Sequence, residues 1–113
     1  MLASHNRLNK GKDFERVKFE GNLFQSDNFG VVVLKKEASD PPRFAFVVST
    51  KISNHAVQRN RIARAMREAV RQNLYLVKGG YDIIFLPKTV IARKTTDEIM
   101  REVKKFLAEK FER

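Results

Sequence analysis

The spacing of apolar positions changes several times along this chain, and each change marks an element. In 11–21, GKDFERVKFEG, Phe14, Val17 and the Lys18–Phe19 pair follow helical steps, and Gly21 is placed to end the helix. The β-branched run in 24–36, FQSDNFGVVVLKK, predicts one strand, or two short strands broken near Asp27–Asn28. Acidic and small residues with two prolines make 37–43 a turn. RFAFVVST, 43–50, predicts the next strand, and order and spacing predict that it forms a hairpin with the one before. A polar loop at 51–54 leads into a helix from about His55 to Leu76. Gly79 and Gly80 stop it, Tyr81 to Leu86 is a nearly all-apolar strand, and Pro87 ends that strand. A last helix is predicted over Thr95–Phe111 from Ile99, Val103, Phe106, Leu107 and Lys110. Thr96 is its expected cap, and Asp97 and Glu98 lie near the positive end of its dipole.

The order α-β-β-β-α-β-α predicts an α+β two-layer sandwich, with helices on one side of the sheet and the other face open. The whole chain, 1–113, reads as a single domain whose residues 1–8 form a flexible basic arm.

Composition sharpens this picture in two ways. Nine Phe and a 42% hydrophobic fraction supply a core, and disordered chains lack such material. The absence of cysteine excludes disulfides, thiolate metal sites and cysteine nucleophiles, and it suits a reducing, cytoplasmic setting. No segment approaches the length of a transmembrane helix, so no membrane association is expected. The second point is charge. Lys and Arg number 23 against 13 acids, a formal net charge of +10. A domain this basic repels itself, and the usual remedy is a polyanionic partner, here nucleic acid. An open sheet face would suit a single strand.

The long central helix carries both core and charge. On a helical wheel Ile62, Ala63, Met66, Ala69, Val70 and Val77 share one stripe. Asn60, Arg64, Arg67 and Arg71 stack in a separate ridge about 16 Å long. Arg61 lies further round, beside Glu68, and Arg59 falls within the apolar stripe at the first turn. Guanidinium forks bind phosphate bidentately and keep their charge at any working pH. Glu68 is the only acid between Asp40 and Asp82, so helical salt bridges do not account for so many arginines.

Protein-based catalysis finds little support in these residues. The only histidines are His5, in the arm, and His55, at a helix start. Asp13 and Glu15 point apart on a helix, and Asp27 and Asp40 are turn formers, so no metal-ligand cluster is apparent. Another structured-RNA binder, such as a ribosomal protein, would share the charge and fold class. A DNA-binding reading of the 55–76 helix lacks the short preceding helix of a helix-turn-helix.

The segment AVQRNRIARAMREAVRQN resembles the Arg-Asn-Arg signature helix of the bacterial ribonuclease P protein component. LNKGKDFERV, FVVSTK and GGYDIIFLPK resemble that family's opening segment, the strand before its signature helix and the Gly-x-Asp strand after it, in the family's order. The resemblance spans residues 7–111. It implies the protein subunit of an endoribonuclease whose catalytic subunit is RNA, with no protein catalytic residues. Such a subunit binds the catalytic RNA and the 5′ leader of precursor tRNA and assists leader removal, with Mg2+ held mainly by the RNA. It also implies a left-handed crossover between two parallel strands through the signature helix. By position, Arg59, Asn60, Arg61, Arg64, Arg67 and Arg71 are implied RNA-binding residues. Phe14, Lys51, Arg59 and Asn60 are implied in a leader cleft between the first helix and the sheet. Four departures stand out. Lys18 and Val32 replace common aromatics, Ala63 replaces a usual Lys or Arg, and TKISNH replaces a Lys-Lys-x-Gly turn. They imply leader contacts that rest more on charge and less on stacking.

Overall fold

The computed structural model describes residues 2–9 and 11–111; Met1, Lys10, Glu112 and Arg113 lie outside the described residues. Three helices, α1 (Lys12–Glu20), α2 (Ala56–Gln72) and α3 (Thr96–Phe111), accompany four strands, β1 (Asn22–Gln25), β2 (Phe29–Lys35), β3 (Arg43–Phe46) and β4 (Tyr81–Pro87). The α-β-β-β-α-β-α order is the predicted one. The 24–36 run resolves into two strands, with Ser26–Asn28 between them.

The strand order is β1-β2-β4-β3. β1 and β2 form the antiparallel hairpin, β4 runs antiparallel to β2, and β3 runs parallel to β4. The expected hairpin between β2 and β3 is therefore not formed, because β4 sits between them. Burial explains the insertion. Ile83, Ile84 and Phe85 are all fully buried, so successive side chains on both faces need cover, and only a central strand provides it. The 36–42 connection has only to cross two strand spacings, about 10 Å. β3 ends at Phe46, short of the predicted Thr50, although Val47 N still donates to Phe85 O at 3.0 Å.

The two sheet faces bury different helices. Phe29, Val31, Val33, Phe44, Ile83 and Phe85 face α2 and α3. Val32 and Ile84 face the other way, against Phe14 and Val17 of α1. The expectation of helices on one side holds for α2 and α3, while α1 takes the opposite face and leaves part of it uncovered. Aromatic packing centres on Phe85, which stacks on Phe46 at 5.4 Å and meets Phe29 edge-on at 5.5 Å.

The segment expected as a flexible arm packs instead along the outer edge of β3. Leu2 is buried in the α2–α3 core and Leu8 in the α1 core, so the segment wraps from one face to the other. Leu8 N donates to Phe44 O at 2.8 Å, and Asn6 Nδ2 donates to Pro42 O at 2.8 Å. Two leucines and an edge strand with open hydrogen bonds hold it there.

Helix ends also differ in detail. α2 stops at Gln72 because buried Asn73 turns its Nδ2 back onto Ala69 O at 2.7 Å. A 3-10 turn, Leu74–Leu76, follows. α3 is capped by Thr95 rather than Thr96. Glu98 N donates to Thr95 Oγ1 at 3.1 Å and Thr95 N donates to Glu98 Oε1 at 2.9 Å, a reciprocal pair that the Thr-x-x-Glu spacing specifies. No helix among the described residues is long and apolar enough to cross a membrane.

Candidate nucleic-acid interface

α2 is two-sided because it packs against two partners. Ile62, Ala65, Met66, Ala69 and Val70 are its buried residues. Ala65 joins the apolar sector and Ala63 is only half-buried, unlike the wheel prediction, since the sector widens to meet α3 as well as the sheet.

The basic residues separate into distinct environments. Asn60, Arg61 and Arg64 line a groove between α2 and α3 of about 690 Å³, with Val57 and Glu68 on α2 and Met100 on α3. Arg61 Nη1 reaches Thr96 Oγ1 across it, at 3.4 Å. Arg67 lies elsewhere. It lines a cleft of about 650 Å³ at the edge of β3, together with Phe14, Phe46, Val48 and Arg7. Arg71 turns to Glu68, donating from Nε to Oε1 at 2.8 Å and from Nη2 to Oε2. Those bonds, joined by one from Gln72, hold the Glu68 carboxyl down at about 2 and raise the Arg71 guanidinium.

The implied leader-cleft set divides in the same way. Phe14 lines the β3-edge cleft and is also part of the α1 core. Lys18 stands over its ring, with Nζ 5.8 Å from the centroid. Asn60 lies in the α2–α3 groove. Arg59 is half-buried, and its Nη1 donates to Ser53 O at 2.9 Å, in the loop that precedes α2. Lys51 is exposed in the same loop, two residues beyond Ser49, which closes the cleft.

The family model for Ribonuclease P matches residues 2–110. This chain belongs to the ribonuclease P protein component family. A ribonuclease P protein component from Pseudanabaena sp. (strain PCC 6903) is 32% identical over 108 residues, covering 96% of this chain and 93% of its own. One from Clostridioides difficile (strain 630) is 34% identical over 98 residues, covering 86% and 84%. Among solved structures, the Staphylococcus aureus RNase P protein superposes with a TM-score of 0.83 at 27% identity, covering 94% of this chain and 96% of that one. The Thermotoga maritima RNase P protein gives 0.79 at 27% identity, covering 91% and 96%.

The Gly-Tyr-Asp strand carries a residue whose role sequence reasoning missed. Asp82 is 3% exposed at the start of β4. Arg43 of β3 donates to it from Nε and Nη2 at 2.9 and 2.7 Å, and Lys36 Nζ, just past β2, lies 2.9 Å away. Arg43 Nη1 also reaches Asp13 Oδ2 on α1 at 3.1 Å. Burial pushes the Asp82 carboxyl up, but the Arg43 and Lys36 hydrogen bonds outweigh it and hold the group below its ordinary value. One carboxylate thus ties three strand ends to the helix that carries Phe14. Arg7 was also missed as a cleft residue, because it lies in the segment read as a free arm.

Proposed function

We propose that this chain is the protein subunit of a ribonuclease P ribonucleoprotein, binding the catalytic RNA and the 5′ leader of precursor tRNA. What carries the reading is a cleft at the β3 edge that brings Arg7 and Arg67 together with the apolar lining of Phe46 and Val48, separate from the Asn60–Arg61–Arg64 groove. A cleft that mixes aromatic and apolar lining with guanidinium forks suits a single strand, whose bases and phosphates alternate. The groove residues present a second basic surface for the catalytic RNA. Two surfaces on one small domain allow one RNA to be held while another is positioned.

Magnesium belongs to the RNA in this reading. Among the described residues no group of three His, Asp or Glu is placed to hold a metal ion. The carboxylates with fixed geometry have protein partners. Asp82 is held by Arg43 and Lys36, Glu68 by Arg71, and Glu102 by Ser26 and Asn28. The chain's contribution in this reading is binding and orientation, in the cytoplasm.

The test is reconstitution. Precursor tRNA cleavage is measured at low magnesium with the catalytic RNA, with and without this protein. Stimulation is expected, and its absence would sink the proposal. A gel shift against duplex DNA and unrelated structured RNA at stated salt separates specific from general polyanion binding.

A further inference from the structure

Val57 is 83% exposed on the first turn of α2, among arginines. A single exposed valine is ordinary. Its surroundings are not. On one side lies the α2–α3 groove, walled by Arg61 and Arg64 and floored by Ala65 and Met100. On the other side lies a second hollow of about 650 Å³ at the start of α2, lined by Asn54, His55 and Gln58. Val57 and Arg61 line both hollows. They are one helical turn apart, so an apolar ridge and a guanidinium stand together between two cavities. Both are open hollows on the surface.

We infer that this ridge separates two adjacent unpaired nucleotides of the partner RNA, one base in each hollow, with Arg61 on the phosphate between them. The inference rests on the RNA-binding reading of α2 and adds the kind of RNA element bound there. Phosphate contact alone explains arginines but not a bare valine and an apolar floor in their midst. Sequence-specific RNA recognition takes unstacked bases, and Arg planes serve as stacking surfaces for them. Apolar side chains act as wedges between base steps in nucleic-acid complexes. The net charge of +10 favours a nucleic acid over an apolar peptide as the occupant. Asn60 and Thr96, at the groove wall, offer an amide and a hydroxyl to a base edge.

The test uses the full chain and an in vitro transcript of a ribonuclease P catalytic RNA. Val57→Ser removes the wedge without touching the core or any charge. RNA affinity should fall by on the order of fivefold with an unchanged salt slope, since no phosphate contact is lost. Val57→Leu should restore it. A benzophenone side chain at position 57 should crosslink to the base of an unpaired nucleotide. Wild-type affinity in Val57→Ser, or a crosslink to a paired nucleotide or to a second copy of this chain, would overturn the inference. If Arg64→Ala still weakens binding in that case, the RNA-binding reading of α2 survives without the wedge. If neither variant changes affinity, that reading fails as well.

Discussion

Arg43 grips Asp82 as a fork, Nε to Oδ1 at 2.9 Å and Nη2 to Oδ2 at 2.7 Å, while its remaining nitrogen reaches Asp13. Removing the buried carboxylate takes the ionic partner from Lys36 and leaves the part-exposed Arg43 with Asp13 alone. Asp82→Asn should destabilise the fold by about 1–3 kcal/mol, read by urea denaturation. The Asp82 carboxyl lies below its ordinary value in the folded chain. Its stabilisation is therefore present above the unfolded carboxyl range, about pH 4, and is lost as pH falls through the folded value. Stability should drop with acid below about pH 4 in the wild type, and the drop should be shallower in Asp82→Asn. Equal slopes would show that other carboxylates dominate acid unfolding.

Phe14 serves the core and the cleft at once. Phe14→Ala should cost about 3–5 kcal/mol, which would obscure any binding role. Phe14→Leu keeps most of the apolar packing and removes the ring. Its thermal midpoint should fall by only several degrees, leaving the fold intact, while affinity for leader-bearing precursor tRNA falls and affinity for leaderless tRNA does not. A parallel fall for both substrates would remove Phe14 from leader contact.

Arg64 and Arg67 fall on one ridge of the helical wheel but line different cavities. Their variants should therefore separate. Arg64→Ala should weaken catalytic-RNA binding and reduce its salt slope by about one. Arg67→Ala should chiefly weaken leader-dependent precursor binding. Titrations of both RNAs across a salt series check this, and identical effects from the two variants would refute the division.

Much of the architecture is legible in the chain, for a local reason. Helical spacing in 55–76 and the apolar run at 81–86 are patterns within single elements, and α2 and β4 follow them. Strand order is a relation between distant elements. The apolar run of β4 does signal a central strand, but it does not name β2 and β3 as its neighbours. Leu2 and Leu8 are isolated apolar residues in a polar stretch, without periodicity to reveal that each enters a different core. The Asp13–Arg43–Asp82–Lys36 cluster joins four separate segments, so spacing could not disclose it. The arginines of α2 were legible as a basic surface. The separation of Arg61 and Arg64 from Arg67 depends on where α1, α3 and the β3 edge lie.

Glu68 accepts hydrogen bonds from two nitrogens of Arg71, which hold its carboxyl below the ordinary value. A substitution releases the arginine. Glu68→Gln removes the only negative charge on α2 and frees a guanidinium that is otherwise bound at two nitrogens. The pair is exposed, so the thermal midpoint should hardly move. RNA affinity should rise, and its salt slope should steepen by up to about one if Arg71 then engages a phosphate. Arg71→Ala in the same background should abolish the gain. Unchanged affinity in Glu68→Gln would mean that Arg71 faces no RNA, and that the basic surface of α2 ends at Arg67.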